Sequence, residues 1–326
     1  MTTAFTHHGG RLAHACAHYG GRREDWIDLS TGINPNAWPS SGSGTTDWRA
    51  LPDPEALARL ERAAARHFGC APALCAAVPG SETGLRLLGL LLERPGLYQP
   101  LGYGTYRSAL ADGEEIADLA NLPARATALM VGNPNNPDGA LISRHDLLVM
   151  CDHQERHGGW LIVDEAFADH DPRCSVADTV GSDRRLIVLR SFGKFFGLAG
   201  LRLGFIIAPP LVLEPLRRTL GDWPVHAAGL ELGTAAYDDA GWIERTRIDL
   251  AQRAAGLDAV LARHGLTPRG ACPLFRLVAT PAAPALFEVL ARQRILTRPF
   301  ASHPHLLRVG LPADENALDR LDRALG

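Results

Sequence analysis

Residues 191–205 read SFGKFFGLAGLRLGF. At their centre stands Lys194, the only lysine among 33 basic residues, so that the other 32 are arginine. Lysine is ordinarily one of the commonest residues, and a single one in 326 is a strong depletion. Two readings fit it. A coding bias towards arginine would replace lysine wherever only surface charge is needed. A retained lysine would mark a place where arginine cannot serve, because a guanidinium stays protonated while a primary amine can lose its proton and attack a carbonyl. A Walker A phosphate loop needs Ser or Thr after its lysine, and Phe195 follows Lys194 here.

Outward from this stretch, apolar runs at 127–132 (TALMVG), 160–164 (WLIVD), 186–190 (LIVLR) and 203–208 (LGFIIA) read as buried strands. Helices are expected at 52–67, with proline in the first turn, at 80–93 and at about 143–157. Strands alternating with helices predict an α/β domain with a largely parallel sheet. The last third differs. A long helix at 241–264, strands at 274–280 and 306–311, and helices near 282–293 and 313–325 predict a smaller α+β domain. The expected division is a large domain over 45–262, with 1–44 and 263–326 forming an N-terminal segment and the small domain. The Gly/Ser stretch 40–46 reads as a loop.

Composition narrows the function classes. With 46% hydrophobic residues, 21% charged residues and a net charge of -3, the chain reads as globular and not as a nucleic-acid binder. Residues 1–16 lack an apolar signal core, and no apolar run reaches the roughly 18 residues of a membrane span, so a cytoplasmic location is expected. The six cysteines are scattered without a C-x-x-C pair and read as reduced packing thiols. His14 and His18 have helical spacing but no third ligand nearby, so no metal is expected.

Three strand-like runs end in polar segments. They are Gly-Asn-Pro-Asn-Asn-Pro-Asp-Gly at 132–139, Asp164-Glu165-Ala166-Phe167, and Ser191-Phe192-Gly193-Lys194. Ligands gather at the carboxyl ends of parallel strands, so an amide, a carboxylate and the lone lysine are expected at one sheet edge. Taken singly, the first could be only a turn and the second only a cap.

In this order and spacing the three segments resemble the fold-type I pyridoxal-phosphate enzymes of the aminotransferase class I/II superfamily, over about residues 7–311. The resemblance implies pyridoxal 5′-phosphate as cofactor and Lys194 as the Schiff-base lysine. It implies that Asp164 pairs with the pyridine N–H, Asn136 donates to the phenolic O3′, Ala166 lies against the ring and Tyr106 stacks on its other face. Ser81, Glu82 and Thr83 open a helix whose free N–H groups would hold the phosphate, with Ser191 and Arg202 completing the cradle. A homodimer is implied as well. Three departures stand out. Phe167 replaces a frequent Tyr, Leu51 stands where relatives have the Tyr of Tyr-Pro-Asp, and Gly193 replaces Ser or Thr.

HGGRLAHACAHYG at 8–20 and WIDLSTGINP at 26–35 resemble the threonine-phosphate decarboxylase family of cobalamin biosynthesis. Asp-Trp-Pro-Val at 222–225 and Ile-Leu-x-Arg at 295–298 resemble it too. That likeness implies a small-molecule substrate, O-phospho-L-threonine, decarboxylated to (R)-1-amino-2-propanol O-2-phosphate. Arg308 would grip the α-carboxylate. Arg298, His8 and the backbone around Gly9 and Gly32 would contact the substrate, mainly at its phosphate end, and Asn136 would contact it as well. The rivals are a histidinol-phosphate aminotransferase and a pyridoxal-phosphate-binding sensor or interaction protein without catalysis.

Overall fold

The structure is a computed structural model describing residues 4–40 and 46–326. Most of the Gly/Ser stretch 40–46 lies outside the described residues. The chain divides into two compact units. The larger holds residues 37–136 and 141–244, and the smaller holds 1–36, 137–140 and 245–326.

The bounds differ from the expected 45–262. The helix Ala240–Arg263 is continuous, and the division falls within it, between Glu244 and Arg245. Residues 137–140 belong to the smaller unit because Ala271 N–H donates to Gly139 O (2.9 Å). At Gly270 an added Cβ would lie 2.2 Å from the Asp138 carbonyl.

Twelve strands are described. They are β1 (Ile27–Asp28), β2 (Cys75–Val78), β3 (Pro95–Tyr98), β4 (Ala111–Glu115), β5 (Ala128–Gly132) and β6 (Trp160–Asp164). After them come β7 (Leu186–Ser191), β8 (Gly204–Ile207), β9 (Phe275–Ala279), β10 (Ile295–Leu296), β11 (Arg298–Pro299) and β12 (Leu306–Gly310).

The larger unit is built on a seven-stranded sheet in the order β2-β8-β7-β6-β5-β3-β4. Every pairing from β4 across to β7 is parallel, while β8 runs against both of its neighbours. Strands β5, β6, β7 and β8 are buried along almost their whole length, as a sheet covered on both faces requires. Val78, Leu88, Met130, Ile162, Ile187 and Ile206 lie in the core on one face.

The helices of this unit start and stop where local chemistry says they should. Pro54 opens the helix Pro54–Phe68, Asp53 caps it through Glu55 N–H (3.0 Å), and Gly69 closes it with φ +73°. Ser143 caps Arg144–Arg156 in the same way.

In the smaller unit, β11, β12 and β9 form an antiparallel sheet, and β1 pairs in parallel with β10. The N-terminal segment is therefore part of the small α+β unit. No helix among the described residues is long and apolar enough to cross a membrane.

Candidate active site

Parallel pairing brings the ends of β5, β6 and β7 to one edge of the larger unit. Asp164, the last residue of β6, is in register with Gly132 on one side and Leu189 on the other. Its Oδ1 accepts from Ala166 N–H (3.1 Å), and its Oδ2 accepts from the Tyr106 hydroxyl (2.9 Å). Asp164 keeps part of its surface accessible, yet the surrounding protein strips enough water to push its carboxyl above the usual carboxylate range. The Tyr106 hydroxyl, the Ala166 N–H and the Lys194 ammonium pull it back only in part.

Lys194 sits in the short helix Phe192–Phe195 that follows β7 directly. Its Nζ lies over the Phe167 ring, 5.7 Å from the centroid. Phe167, which cannot donate a hydrogen bond, thus supplies a face to the lysine. Gly193 is explained by packing, since an added Cβ would lie 2.5 Å from Ala199 Cα. A Ser or Thr has no room there.

The three asparagines of the 132–139 segment separate by role. Asn133 is buried and bonded to Cys174 O and Ile142 N–H, and buried Asn135 donates to Leu101 O. Both fasten the loop. Asn136 remains partly accessible.

A second group forms where the helix Ser81–Leu92 begins. Gly80, in the left-handed region at φ +91°, has the Arg202 guanidinium against it, and an added Cβ would lie 2.6 Å from Nη2. Arg202 itself holds φ +53°, a conformation that non-glycine residues seldom keep without a compensating role. Gly204 presses on the same helix start, its missing Cβ 2.5 Å from Ser81 N. Gly204 is paired with Ser191 across β7 and β8. Free helix N–H groups and a guanidinium therefore converge on one spot, with Ser191 on the neighbouring strand.

Glu82 does not bring its carboxylate to that spot. Tyr103, Thr105 and Arg86 all donate to it, so Glu82 can offer an anion only its backbone N–H.

Sequence reasoning missed a buried network just behind this edge. Arg190 donates to Glu165 Oε2 (2.8 Å) and Asp169 Oδ1 (2.5 Å), and His67 Nε2 lies 2.9 Å from the same Asp169 oxygen. Ser175 and Val176 complete the shell of Glu165. Glu165 follows Asp164, and Arg190 precedes Ser191, so this network braces the two strand ends. The signal for it was the apolar run LIVLR, where a charged residue enters a wholly buried strand.

The other expected residues lie in the smaller unit. Arg308 is buried, donates to Ser30 O (2.8 Å) and lies over the Phe275 ring. Arg298 is its register partner on β11. It donates to Phe5 O (2.7 Å) and to His7 O, and so anchors the segment leading into His8 and Gly9. In this structure Arg298 is a clamp on the N-terminal segment. Gly9 packs on Ser30, with an added Cβ 2.2 Å from the carbonyl oxygen, and Gly32 is buried.

The larger unit thus carries an amine, a desolvated carboxylate and a helix start with a guanidinium against it. This is the donor set for a phosphorylated aldehyde bearing a ring nitrogen. The profile of the aminotransferase class I and II family matches residues 103–325, and the chain belongs to that family. A histidinol-phosphate aminotransferase from Sinorhizobium meliloti, solved with pyridoxal-5′-phosphate, superposes with a TM-score of 0.76 at 23% identity. It covers 85% of this chain and 82% of its own.

Within that class the likeness is narrower. Threonine-phosphate decarboxylases from a Sinorhizobium species and from Pseudomonas aeruginosa are 41% and 38% identical, each over 98% of this chain and over 97% and 96% of their own lengths. The chain belongs with the threonine-phosphate decarboxylases.

Proposed function

We propose that this protein is a pyridoxal-phosphate-dependent enzyme that decarboxylates O-phospho-L-threonine. The product is (R)-1-amino-2-propanol O-2-phosphate, a building block of the cobalamin nucleotide loop. The full-length likeness to threonine-phosphate decarboxylases carries the choice of substrate. The donor set of the larger unit supports the choice of cofactor.

Bound pyridoxal phosphate supplies an electron-poor ring that accepts the electron pair left when the carboxylate departs. Lys194, the only lysine of the sequence, would hold the cofactor's aldehyde carbon. Asp164 holds a proton at the ring nitrogen, and the Tyr106 hydroxyl and Ala166 N–H fix its two oxygens. Asn136 would donate to O3′, and Phe167, which has no hydroxyl, would add no second donor there. Ala166 and Tyr106 would lie against the ring, and the N–H groups of Ser81, Glu82 and Thr83 would hold the phosphate with Arg202 and Ser191. Arg308 binds the substrate carboxylate. The backbone around Gly9 and Gly32, with His8, binds the substrate phosphate, and Arg298 holds that segment in place. With the cofactor bound, these residues would hold the substrate so that its carboxylate could leave as carbon dioxide and Cα take up a proton in its place.

We place the enzyme in the cytoplasm as a homodimer. Trp48 and Leu51, 73% and 68% exposed, offer apolar surface for a second copy.

The test is an assay of the cofactor-loaded protein. With O-phospho-L-threonine, carbon dioxide should be released without any keto acid present. Rapid consumption of 2-oxoglutarate with histidinol phosphate, and no carbon dioxide from phosphothreonine, would overturn this reading in favour of the aminotransferase. A cofactor absorbance that no phosphorylated amino acid changes would point to a binding protein instead.

A further inference from the structure

Ser30 is a buried polar residue of the smaller unit, and none of the roles assigned above falls to it. It is 2% exposed. Its hydroxyl donates to Asp28 Oδ1 (2.5 Å) and accepts from Gly10 N–H (2.7 Å). Its carbonyl oxygen accepts from the Arg308 guanidinium (2.8 Å), and the Gly9 Cα rests against that same carbonyl.

The direction of the hydroxyl is decided by Asp28. A hydroxyl has one proton and two lone pairs. Asp28 Oδ1 takes the proton and also the Ser30 N–H (2.9 Å), which turns a lone pair of the hydroxyl towards Gly10. The segment beneath is rigid. Leu29 N–H donates to Leu296 O and Leu29 O accepts from Gly310 N–H, each at 2.7 Å. An added Cβ at Gly310 would lie 2.6 Å from Thr31 O, so β12 and residues 29–31 pass at backbone contact.

We propose that Ser30, oriented by Asp28, is a positioning residue that fixes the His8–Gly10 turn relative to Arg308. It thereby sets the separation between the two anion contacts of the substrate and selects amino acids whose carboxylate and phosphate stand at the matching distance. The inference rests on the decarboxylase reading. Arg308 is held from the carbonyl side of Ser30 and the turn from its hydroxyl side, so loss of the hydroxyl removes the fastening at Gly10, while the Arg298 bonds to Phe5 O and His7 O and the place of Arg308 remain. The effect then falls on the phosphate end of the substrate.

The experiment uses cofactor-loaded protein and the variants Ser30→Ala, Asp28→Ala and Asp28→Asn. Calorimetric affinity and steady-state kinetics are measured for O-phospho-L-threonine, and calorimetric affinity for L-threonine, which lacks the phosphate. Ser30→Ala should weaken phosphothreonine binding and raise its KM about tenfold, because Gly10 N–H loses its acceptor. The change should appear in KM rather than kcat, and L-threonine affinity should hardly move. Asp28→Ala should reproduce the effect, and Asp28→Asn, which keeps an acceptor oxygen, should restore most of the affinity. Equal losses for both ligands, or no loss for either, would overturn the positioning role while wild-type turnover leaves the decarboxylase reading standing. Wild-type protein that neither binds nor decarboxylates phosphothreonine would overturn both. If Ser30→Ala does not fold, Asp28→Ala against Asp28→Asn decides.

Discussion

At the scale of single residues, chemistry that only one side chain can perform stands out in a sequence. Lys194 is such a residue. An arginine there would keep the positive charge and lose the nucleophile, because its guanidinium does not deprotonate in proteins. Borohydride treatment of the cofactor-loaded enzyme should therefore attach one cofactor per chain, on the peptide containing Lys194. Lys194→Arg should give no such adduct and no carbon dioxide release, a loss of several orders of magnitude in kcat. Mass spectrometry of the digested protein reads the first outcome, and a covalent adduct elsewhere in the chain would contradict the assignment. Asp164 and Arg202 stood out only together with the lysine segment: taken singly, a carboxylate closing a strand could be a cap and one arginine among 32 could be surface charge. Ser30 was not legible. In Asp-Leu-Ser-Thr-Gly it looks like any turn serine, and its importance comes from Gly10 and Arg308, which are 20 and 278 residues away.

At the scale of elements, burial determined what could be read. The runs that became β5, β6, β7 and β8 are apolar because both faces of the sheet are covered. The edge strand β4, ADGEE, is mostly exposed and carries no apolar pattern, so nothing in its composition announces a strand. Strand β2, CAAV, is wholly buried but only four residues long. The helices Pro210–Leu220 and Ala227–Asp238 also went unpredicted, the first being interrupted by Pro215. Caps, in contrast, are local. Asp53→Ala removes the acceptor for Glu55 N–H and should destabilise the protein by about 1 kcal/mol, read from urea unfolding. Gly204→Ala belongs to the same scale. Its Cβ would press on the backbone of Ser81, Gly80 and Arg190, so both stability in urea unfolding and cofactor affinity in an absorbance titration should fall.

At the scale of the whole molecule, the two units carry different parts of the proposed chemistry. Every residue assigned to the cofactor lies in the larger unit, and the substrate residues other than Asn136 lie in the smaller one. The larger unit is braced by the buried Glu165–Arg190–Asp169–His67 network. Removing one member of a buried ion pair leaves its partner uncompensated, so Arg190→Met should cost about 3–5 kcal/mol of stability. The network also predicts a pH dependence. Burial alone would raise the Asp169 carboxyl, but Arg190 and His67 outweigh it and hold it well below the usual carboxylate range. A carboxyl with a depressed folded value contributes stability above its unfolded value, about 3.9, and loses it as the pH falls towards the folded value. The stability gap between wild type and Asp169→Asn should accordingly be constant from pH 7 to about pH 5 and shrink in more acid solution. Unfolding measured across that range checks it, and a gap that widens on acidification would contradict the sign.

The sequence by itself determined the chemistry and the class of fold. The lone lysine is visible by residue type, the carboxylate and the helix start take on their expected roles only through the family resemblance of the segments together, and buried strands announce themselves by continuous apolar runs. Tertiary structure alone decided the rest. It reversed β8 within an otherwise parallel sheet, drew residues 27–28 into the small unit beside β10, and set the Arg298 guanidinium against the carbonyls of Phe5 and His7. It also made Ser30 the hinge between a backbone turn and a buried arginine. The physical reason is the same throughout. Residue type and local periodicity report what a side chain can do and whether it is buried, whereas partners hundreds of residues apart are chosen only when the chain packs.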